Sequence, residues 1–406
     1  MTTLSIVIPA YNEENGIADI VHRVLNIEKK LPTVGVENLE LLVVDDGSAD
    51  KTATITRDIA KERPNLRLIS HPQNKGYGAA LKTGFGQAKG ELVGFLDADG
   101  TYPPEHFPNL CKKALNGSDL VIGSRMTSSE TGMPLTRRIG NRFFAGLLSL
   151  VGRQHVTDSA SGMRVFKREL LERIYPLPDG LNLTPVMSTR AIHEGIPMAE
   201  IPIPYSERVG RSKLSVVHDG SLFLRSMLWT VLTYNPVRIL GVVGLSGIAL
   251  SLLIIIGLLI TRLQGVDTLG PWGVTAVFIG AIFGFSGFSI FSLGITFNYL
   301  VSLFFKKPMR RQGLLNRPLL PAPLDNQFWW LGGLALLIGV ILGGVSLSLS
   351  LSGWEIARLW LYLLGSAMSI MTGVQLIIYW ILLRTLDEVS QRDQLIAQEL
   401  GLQETL

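Results

Sequence analysis

The chain is poor in the residues that build disulfide frameworks and metal clusters. It has one cysteine, Cys111, so an intrachain disulfide is excluded, and a lone cysteine is typical of a reducing compartment and of a small buried side chain. His155, His193 and His218 show no metal-ligand spacing among themselves, and we treat them as structural or surface residues. Gly-x-Gly-x-x-Gly does not follow the first predicted strand, and Gly-x-x-x-x-Gly-Lys-Ser/Thr is absent. Dinucleotide binding and P-loop hydrolysis therefore lose their main sequence support.

Charged residues are missing from four long stretches in the second half of the chain. The sequence is 47% hydrophobic and 17% charged, with a mean hydropathy of +0.33. The uncharged stretches cover residues 239–261, 273–305, 328–354 and 359–383. Each reaches the roughly 20 residues that an α-helix needs to cross a bilayer. We therefore predict an all-α membrane domain with four transmembrane helices, the alternative being four buried helices of a large soluble core.

Basic residues are distributed unevenly among the loops between these stretches. The second loop is the most basic, whereas the other two carry only Arg262 and Arg358. By the positive-inside rule the second loop is cytoplasmic, and so are both termini. The first apolar run, Leu4–Pro9, is too short for a secretory signal, so we expect a multi-pass protein with a cytoplasmic N-terminal half. The basic residues of the second loop are Lys306, Lys307, Arg310, Arg311 and Arg317.

The first 125 residues alternate strand-like and helix-like patterns. Helix-like segments lie at about 14–30, 50–62 and 76–88. This alternation predicts an α/β, Rossmann-like domain with a mostly parallel sheet and helices on both faces. Between residues 121 and 205 the pattern is mixed and indicates one more strand, at Met198–Ile203. The apolar runs read as strands are Leu4–Pro9, Leu39–Val44, Leu66–Ser70 and Leu92–Leu96.

Three polar motifs follow three of these strands directly. They are Pro-Ala-Tyr-Asn-Glu at 9–13, Asp-Asp-Gly-Ser at 45–48 and Asp-Ala-Asp-Gly at 97–100. Since ligands of such sheets bind at the carboxyl ends of the strands, we expect the motifs to meet at one rim. The carboxylates at 97 and 99 are hard oxygen ligands, which Mg²⁺ or Mn²⁺ prefers and often combines with substrate phosphates. The alternatives are a solvated turn at 97–99 and helix capping by either acid of the 45–48 motif.

Together these motifs resemble those of the family 2 glycosyltransferases, which have the GT-A fold. The matching motifs lie in order at 7–14, 43–48, 74–76 and 97–99. Three others, Gly-Ser-Arg at 123–125, Ser-Gly-Met-Arg at 161–164 and Arg-Val-Gly-Arg-Ser-Lys-Leu at 208–214, resemble the polyisoprenyl-phosphate branch of that family. This branch contains dolichyl-phosphate mannose synthases and bacterial undecaprenyl-phosphate glucosyltransferases. The resemblance covers about residues 4–235.

The resemblance implies a nucleotide, a metal and a catalytic role for the rim motifs. Asp97 and Asp99 would bind Mg²⁺ or Mn²⁺ and form the catalytic set with Arg125. Many relatives have Gln two residues after the second Asp, whereas this chain has Thr101, so the third protein ligand stays open between the Thr101 hydroxyl and water. The nucleotide of the sugar donor would lie against Pro9, Ala10, Tyr11, Glu13, Asp45, Asp46, Lys75, Asp97 and Ala98.

The acceptor follows from a separate chemical argument. A lipid phosphate has a second pKa of about 6, so it is mostly dianionic at neutral pH and already nucleophilic. It needs positioning more than deprotonation, so basic residues would do what a general base does in ordinary sugar transfer. Asp158 is a candidate for orienting a nearby arginine. Solvation of the basic residues and a turn role for Ser212 are the alternatives. The candidate acceptor-phosphate residues are Arg125, Arg137, Arg138, Arg208, Ser212 and Lys213.

From the sequence we predict an inverting glycosyltransferase. It would move a hexose from a nucleotide diphosphate sugar of the UDP-glucose or GDP-mannose class to a polyprenyl or dolichyl phosphate at the cytoplasmic membrane face. A processive polysaccharide synthase, whose Gln-x-x-Arg-Trp pattern is absent, and a nucleotide-binding scaffold without transfer activity are the alternatives. The C-terminal tail leaves a homo-oligomer open, and no nucleic-acid partner is expected. The predicted parts are a catalytic domain (1–213), interface helices (214–236), the membrane domain (237–385) and a cytoplasmic tail (386–406).

Overall fold

The structure is a computed structural model that divides the chain into two compact units, residues 1–230 and 231–406. The first unit is an α/β domain, and the second consists of long helices. This is the mostly parallel sheet with a helical membrane domain that the sequence predicted. The described residues are 2–126, 135–151, 156–205, 216–266, 268–304, 327–355 and 358–399.

Seven strands of the described first unit form one sheet in the order β3-β2-β1-β4-β6-β5-β7. All neighbouring strands are parallel except β6, which is antiparallel to both β4 and β5. Ala10 pairs with Asp45, and Val7 pairs with Phe95, so β1, β2 and β4 end at the same rim. The strands are β1 (Thr3–Ala10), β2 (Asn38–Asp45), β3 (Leu66–Ser70), β4 (Leu92–Phe95), β5 (Leu120–Ser124), β6 (Arg164–Lys167) and β7 (Met198–Pro202).

Helices cover both faces of this sheet. In β1 the side chains of Ile6 and Ile8 join one buried cluster, while Val7 joins the other. Full burial of one such side chain stabilises the fold by about 1.5–3 kcal/mol, and burial on both faces explains why the strands read as continuous apolar runs. The helices are α1 (Ile17–Asn26), α2 (Thr52–Glu62), α3 (Tyr77–Gln87), α4 (Phe107–Leu115), α5 (Leu135–Val151), α6 (Leu170–Ile174), α7 (Leu183–His193) and α8 (Val216–Tyr234), with 3₁₀ turns at Ile27–Val34 and Pro104–His106.

Two details of the predicted element order were wrong. The helix predicted over residues 14–30 covers Ile17–Asn26 and is followed by a 3₁₀ turn, Ile27–Val34, which contains Pro32. Strands β5 and β6 were not predicted. β6 is short and begins with Arg164, so its sequence lacks the apolar run by which the other strands of the sheet centre were recognised.

The second unit contains four helices that are long and apolar enough to cross a membrane. The chain is therefore a membrane protein. α9 and α10 approach closely where Gly244 faces Gly287, since a Cβ on either glycine would lie within 2.7 Å of the other helix's backbone. Between α11 and α12, a Cβ on Gly373 would likewise lie 2.7 Å from the carbonyl oxygen of Gly332. The helices are α9 (Pro236–Leu263), α10 (Pro271–Phe304), α11 (Phe328–Leu351) and α12 (Trp360–Glu399).

Candidate active site

The loops after β1 and β2 are bonded to each other at the rim. The backbone N–H of Asp46 donates to the carbonyl oxygen of Ala10 at 2.8 Å. The N–H of Asn12 donates to Ser48 Oγ at 2.9 Å, and Asn12 Oδ1 accepts from the N–H of Ala49 at 2.8 Å. The first two rim motifs therefore form one connected surface.

The predicted nucleotide residues of the first motif differ in exposure. Pro9 and Ala10 are buried at the end of β1. Tyr11 is 39% exposed, so its ring offers an aromatic face at the rim. Glu13, two residues later, is half-buried. The N–H of Glu13 donates to Thr52 Oγ1 at 2.9 Å, which ties the end of the motif to the start of α2.

Asp46 is a buried carboxylate whose two oxygens both accept hydrogen bonds. Oδ1 accepts from His71 Nδ1 at 2.7 Å and from the N–H of Lys75 at 2.9 Å, and Oδ2 accepts from the N–H of Gly76 at 2.9 Å. His71 is also buried, with Nε2 3.0 Å from Thr83 Oγ1. These contacts hold the loop before α3 against the end of β2.

Neither acid of the second motif caps the following helix, so that alternative was wrong. α2 begins at Thr52, whose N–H donates to Asp50 Oδ1 at 2.9 Å. Asp45 Oδ1 instead accepts from the N–H of Ser48 at 3.2 Å, within the turn after β2. Asp46 is engaged by the loop before α3.

Asp97 and Asp99 lie just beyond β4 in different hydrogen-bonding environments. The phenol of Tyr77 donates to Asp97 Oδ1 at 2.8 Å. Asp99 Oδ1 accepts from the N–H of Thr101 at 3.1 Å and from its hydroxyl at 2.6 Å. Thr101 is 1% exposed, so its hydroxyl orients Asp99 in this structure.

The donor atoms at this point suit a hard divalent cation. Asp97 and Asp99 supply carboxylate oxygens, the ligand type that Mg²⁺ and Mn²⁺ prefer. Within the described residues, no group of three or more His, Cys, Asp or Glu side chains is arranged to hold a metal. A cation here would therefore take its other ligands from substrate phosphates and water, which is the usual arrangement for Mg²⁺ at nucleotide sites.

Arg125 is fixed by a carboxylate and two aromatic rings. Its Nε donates to Asp158 Oδ2 and its Nη2 to Oδ1, both at 2.7 Å, and its backbone N–H donates to Oδ2 at 3.0 Å. The guanidinium carbon lies 5.7 Å from the ring centre of Tyr102 and 5.5 Å from that of Tyr205. The side chain is 12% exposed. Among the described residues, Arg125 Nη1 has no hydrogen-bond partner and can serve an anionic ligand.

The Arg125–Asp158 pair keeps both of its charges. Burial disfavours the charged guanidinium, but Asp158 together with Tyr102 and Tyr205 outweighs that effect and raises the pKa of Arg125 above its ordinary value. Burial also disfavours the Asp158 carboxylate, and Arg125 outweighs it there too, lowering the pKa of Asp158. Glu200 fixes the backbone of Asp158, because its Oε1 accepts from the N–H of Asp158 at 3.0 Å. Asp158 thus orients an arginine, as the sequence suggested.

Tyr102 lies between the carboxylates after β4 and the Arg125 pair. Its hydroxyl accepts from the N–H of Gly162 at 2.7 Å, while its ring packs under Arg125. Gly162 in turn abuts Asp97, since a Cβ on Gly162 would lie 2.5 Å from Asp97 Oδ2. Glycine is therefore required in the Ser-Gly-Met-Arg motif because a larger residue would displace Asp97.

The other predicted acceptor residues are only partly visible. Arg138 lies on α5, and its Nε is buried with no hydrogen-bond partner among the residues that the structure describes. Arg137 lies on the same helix, but its side chain is outside the described part. Arg208, Ser212 and Lys213 also lie outside the described residues.

Four residues of the site had no role in the sequence prediction: His71, Tyr77, Tyr102 and Arg164. Arg164 is fully buried, and its guanidinium donates to the carbonyl oxygens of Ser159 and Ser161 and to the hydroxyl of Ser188. Burial lowers the pKa of Arg164 to about 10. Arg164 is the last residue of the Ser-Gly-Met-Arg motif, and that motif was the one sequence signal for it. The contacts of His71, Tyr77 and Tyr102 depend on the folded chain.

The chain matches two families. Residues 5–175 match glycosyl transferase family 2, and residues 236–397 match a domain of unknown function, DUF8752. An undecaprenyl-phosphate 4-deoxy-4-formamido-L-arabinose transferase of Photorhabdus laumondii is 32% identical over 291 residues, which is 69% of this chain and 85% of that protein. The transferase of the same name from Pseudomonas fluorescens is 30% identical over 329 residues, covering 79% of this chain and 92% of that protein.

Solved structures of two other synthases also align with the chain. The glucosyl-3-phosphoglycerate synthase of Mycobacterium tuberculosis is 22% identical with a TM-score of 0.43, covering 57% of this chain and 78% of that one. The mannosyl-3-phosphoglycerate synthase of Rubrobacter xylanophilus is 20% identical with a TM-score of 0.43, covering 57% and 73%.

Proposed function

The chain belongs to glycosyl transferase family 2 and is a GT-A glycosyltransferase, and we propose that it moves a sugar from a nucleotide diphosphate donor to a polyprenyl phosphate. The observation that carries the proposal is the position of Arg125. Its guanidinium lies against the ring of Tyr102, whose hydroxyl accepts from the N–H of Gly162 beside Asp97, in a chain that also has four membrane-spanning helices. Two relatives match over 69% and 79% of this chain, and their names support the same acceptor class.

The donor would bind along the ends of β1, β2 and β4. We infer that Pro9, Ala10, Tyr11 and Glu13 contact the nucleoside, with Asp45, Asp46 and Lys75 on the neighbouring loops. Both Asp46 oxygens are already engaged, so Asp46 would act mainly by shaping the loop before α3. Tyr11, with its exposed ring, would stack on the base. Ala98 and the carboxylates beside it would face the diphosphate.

Asp97 and Asp99 are the residues that would hold Mg²⁺ or Mn²⁺. The cation would neutralise the charge that develops on the departing nucleoside diphosphate. Thr101 supports Asp99 through its hydroxyl, so we assign the remaining ligand positions to water and substrate phosphates.

Arg125 would place the acceptor phosphate for attack. An oxygen of the dianionic lipid phosphate forms the new bond to the sugar C1, while the bond between C1 and the diphosphate oxygen breaks with its electron pair. One attack from the face opposite the leaving group gives inversion. No protein base is required, because the nucleophile carries no proton at neutral pH. We propose Arg137, Arg138, Arg208, Ser212 and Lys213 as further contacts of this phosphate.

The proposed function also includes the identity of the sugar and the side of the membrane on which the catalytic domain lies. The sequence resemblance favours a hexose, of the UDP-glucose or GDP-mannose class, whereas the names of the relatives point to a formamido-arabinose. We propose a catalytic domain at 1–213 and interface helices at 214–236, on the cytoplasmic face that the basic second loop indicates. The membrane domain would cover 237–385 and the tail 386–406. Membership of an enzyme family argues against the scaffold without transfer activity, and this chain lacks the Gln-x-x-Arg-Trp pattern of processive synthases.

Product analysis tests this function directly. The purified full chain is incubated with Mg²⁺ or Mn²⁺, a short polyprenyl phosphate and each of several nucleotide sugars, including UDP-glucose, GDP-mannose and a UDP-linked 4-formamido-arabinose. Mass spectrometry of the lipid fraction should show one sugar added to the phosphate. Transfer to soluble sugars alone would contradict the proposed acceptor, and addition of several sugars to one lipid would favour a processive synthase.

A further inference from the structure

The start of α3 connects two separate acids of the rim. The N–H groups of Lys75 and Gly76 donate to Asp46, and the phenol of the next residue, Tyr77, donates to Asp97. Three consecutive residues therefore bind the carboxylate that follows β2 and the carboxylate that follows β4.

The backbone of this segment is tightly enclosed. Gly76 has a φ of +102°, and a Cβ at this position would lie 2.7 Å from the carbonyl oxygen of Asp179. A Cβ on Gly78 would lie 2.2 Å from the carbonyl oxygen of Pro178. The N–H of Ala79 donates to the Asp179 carbonyl at 3.0 Å. These contacts hold the backbone that carries Tyr77 in one place relative to Asp97.

Asp97 is confined on both sides. Tyr77 donates to Oδ1, while the backbone of Gly162 occupies the space beside Oδ2. The Tyr77 hydroxyl is the donor in this contact, at 2.8 Å from Oδ1.

We propose that Tyr77 is a positioning residue for the metal and diphosphate site. This inference rests on the proposed function. The phenol of Tyr77 orients the Asp97 carboxylate, while Lys75 and Gly76 fix the nucleotide loop at Asp46. A bound nucleotide and a bound cation would then be coupled through residues 75–77. Loss of the phenol hydroxyl should weaken the cation site and leave nucleotide binding in the absence of metal unchanged.

The test compares the full-length chain with its Tyr77→Phe variant, which keeps the ring and removes the hydroxyl. Mn²⁺ binding is followed by the electron paramagnetic resonance signal of the free ion, with saturating UDP or GDP as the nucleotide probe. A hydrogen bond to a charged group typically contributes enough to predict about tenfold weaker Mn²⁺ binding. The Mn²⁺ concentration for half-maximal transfer should rise similarly, and saturating Mn²⁺ should restore most of the rate.

Tyr175→Phe is the matched control, because Tyr175 lies outside the site and its phenol makes no described hydrogen bond. It should bind Mn²⁺ like the parent chain. Equal Mn²⁺ binding by the parent and Tyr77→Phe would overturn the inference while leaving the proposed function standing. If the parent binds no Mn²⁺ with either nucleotide, the metal assignment falls and this inference with it. A Tyr77→Phe variant that merely unfolds more readily, with an unchanged Mn²⁺ constant, would also overturn it.

Discussion

The acidic and basic sides of the site hold their charged groups by different means. On the acidic side, Asp46 and Asp99 accept hydrogen bonds from the backbone N–H groups of nearby loop residues as well as from side chains. On the basic side, Arg125 depends on Asp158, 33 residues away, and on two tyrosine rings. Backbone donors are supplied by the fold, whereas a side-chain pair fails when either member is lost. The acidic side should therefore tolerate loss of a supporting side chain better than the basic side.

Asp99→Asn should have the largest effect, because it removes a charge of the acidic side itself. We expect metal-dependent transfer to fall at least about 100-fold, the scale of losing one electrostatic group at the reacting centre. Initial rates of lipid product at saturating Mn²⁺ measure the loss, and the thermal unfolding midpoint should not change. Asp19→Asn, at an exposed position on α1, is the control. Undiminished turnover by the Asp99 variant would remove the metal assignment.

Asp158→Asn should have the next largest effect, since it leaves the Arg125 charge buried without its partner. Breaking a buried ion pair in this way typically costs about 3–5 kcal/mol of unfolding free energy. The unfolding midpoint of the full chain in detergent should fall accordingly. Asp119→Asn is the matched control, because Asp119 pairs with Lys167 at the surface and should matter by less than about 1 kcal/mol. Similar unfolding midpoints for the two variants would show that the Arg125–Asp158 pair contributes no more to stability than the surface pair of Lys167 and Asp119.

His71→Ala should have a smaller effect, because Asp46 keeps its two backbone donors. Loss of one hydrogen bond predicts roughly five- to tenfold weaker binding of UDP or GDP without metal, measured by calorimetry. His22→Ala, an exposed histidine on α1, is the control and should bind normally. Loss of all measurable UDP or GDP binding in His71→Ala would mean that the acidic side depends on side chains as strongly as the basic side.

The pH dependence of stability gives the smallest expected difference. The folded pKa of Asp158 lies below its ordinary value of about 3.9, so its pairing stabilises the fold above that pH. The stabilisation is lost as the pH falls through the folded pKa. The unfolding midpoint of the parent chain should therefore drop more steeply below about pH 4 than that of Asp158→Asn. Parallel curves for the two proteins would contradict the pairing energetics.

The sequence predicted the acidic side as a group, whereas on the basic side it singled out Arg125 and Asp158 separately but not their pairing with each other. Asp46, Asp97 and Asp99 directly follow apolar strands, and parallel strands end at one rim, so sequence order alone brings these residues together. The pairing of Arg125 with Asp158 requires the antiparallel strand β6, whose sequence carries no clear strand pattern. The Tyr77 contact with Asp97 depends on how α3 sits on the sheet, which spacing does not reveal.

The same division applies to the fold. Strands β1, β2 and β4 are mostly apolar because helices cover both faces of the sheet, so they were recognised, and β3 was recognised although it contains Arg67. β6 begins with the buried Arg164, whose charge is tolerated only because carbonyl oxygens and a serine hydroxyl from other segments surround it. Such compensation arises from tertiary structure and leaves no local sequence signal.

The glycine contacts of the second unit bear on how the protein is made. Gly244 meets Gly287, and Gly332 meets Gly373, so each close contact joins helices that are neighbours along the chain. Lipid tails are as apolar as leucine, so close backbone packing rather than the hydrophobic effect drives such helices together. Each helical hairpin can therefore assemble as soon as its second helix leaves the ribosome and enters the bilayer. Biogenesis would proceed as two successive hairpins, and a bulky residue at Gly287 would delay the first while sparing the second.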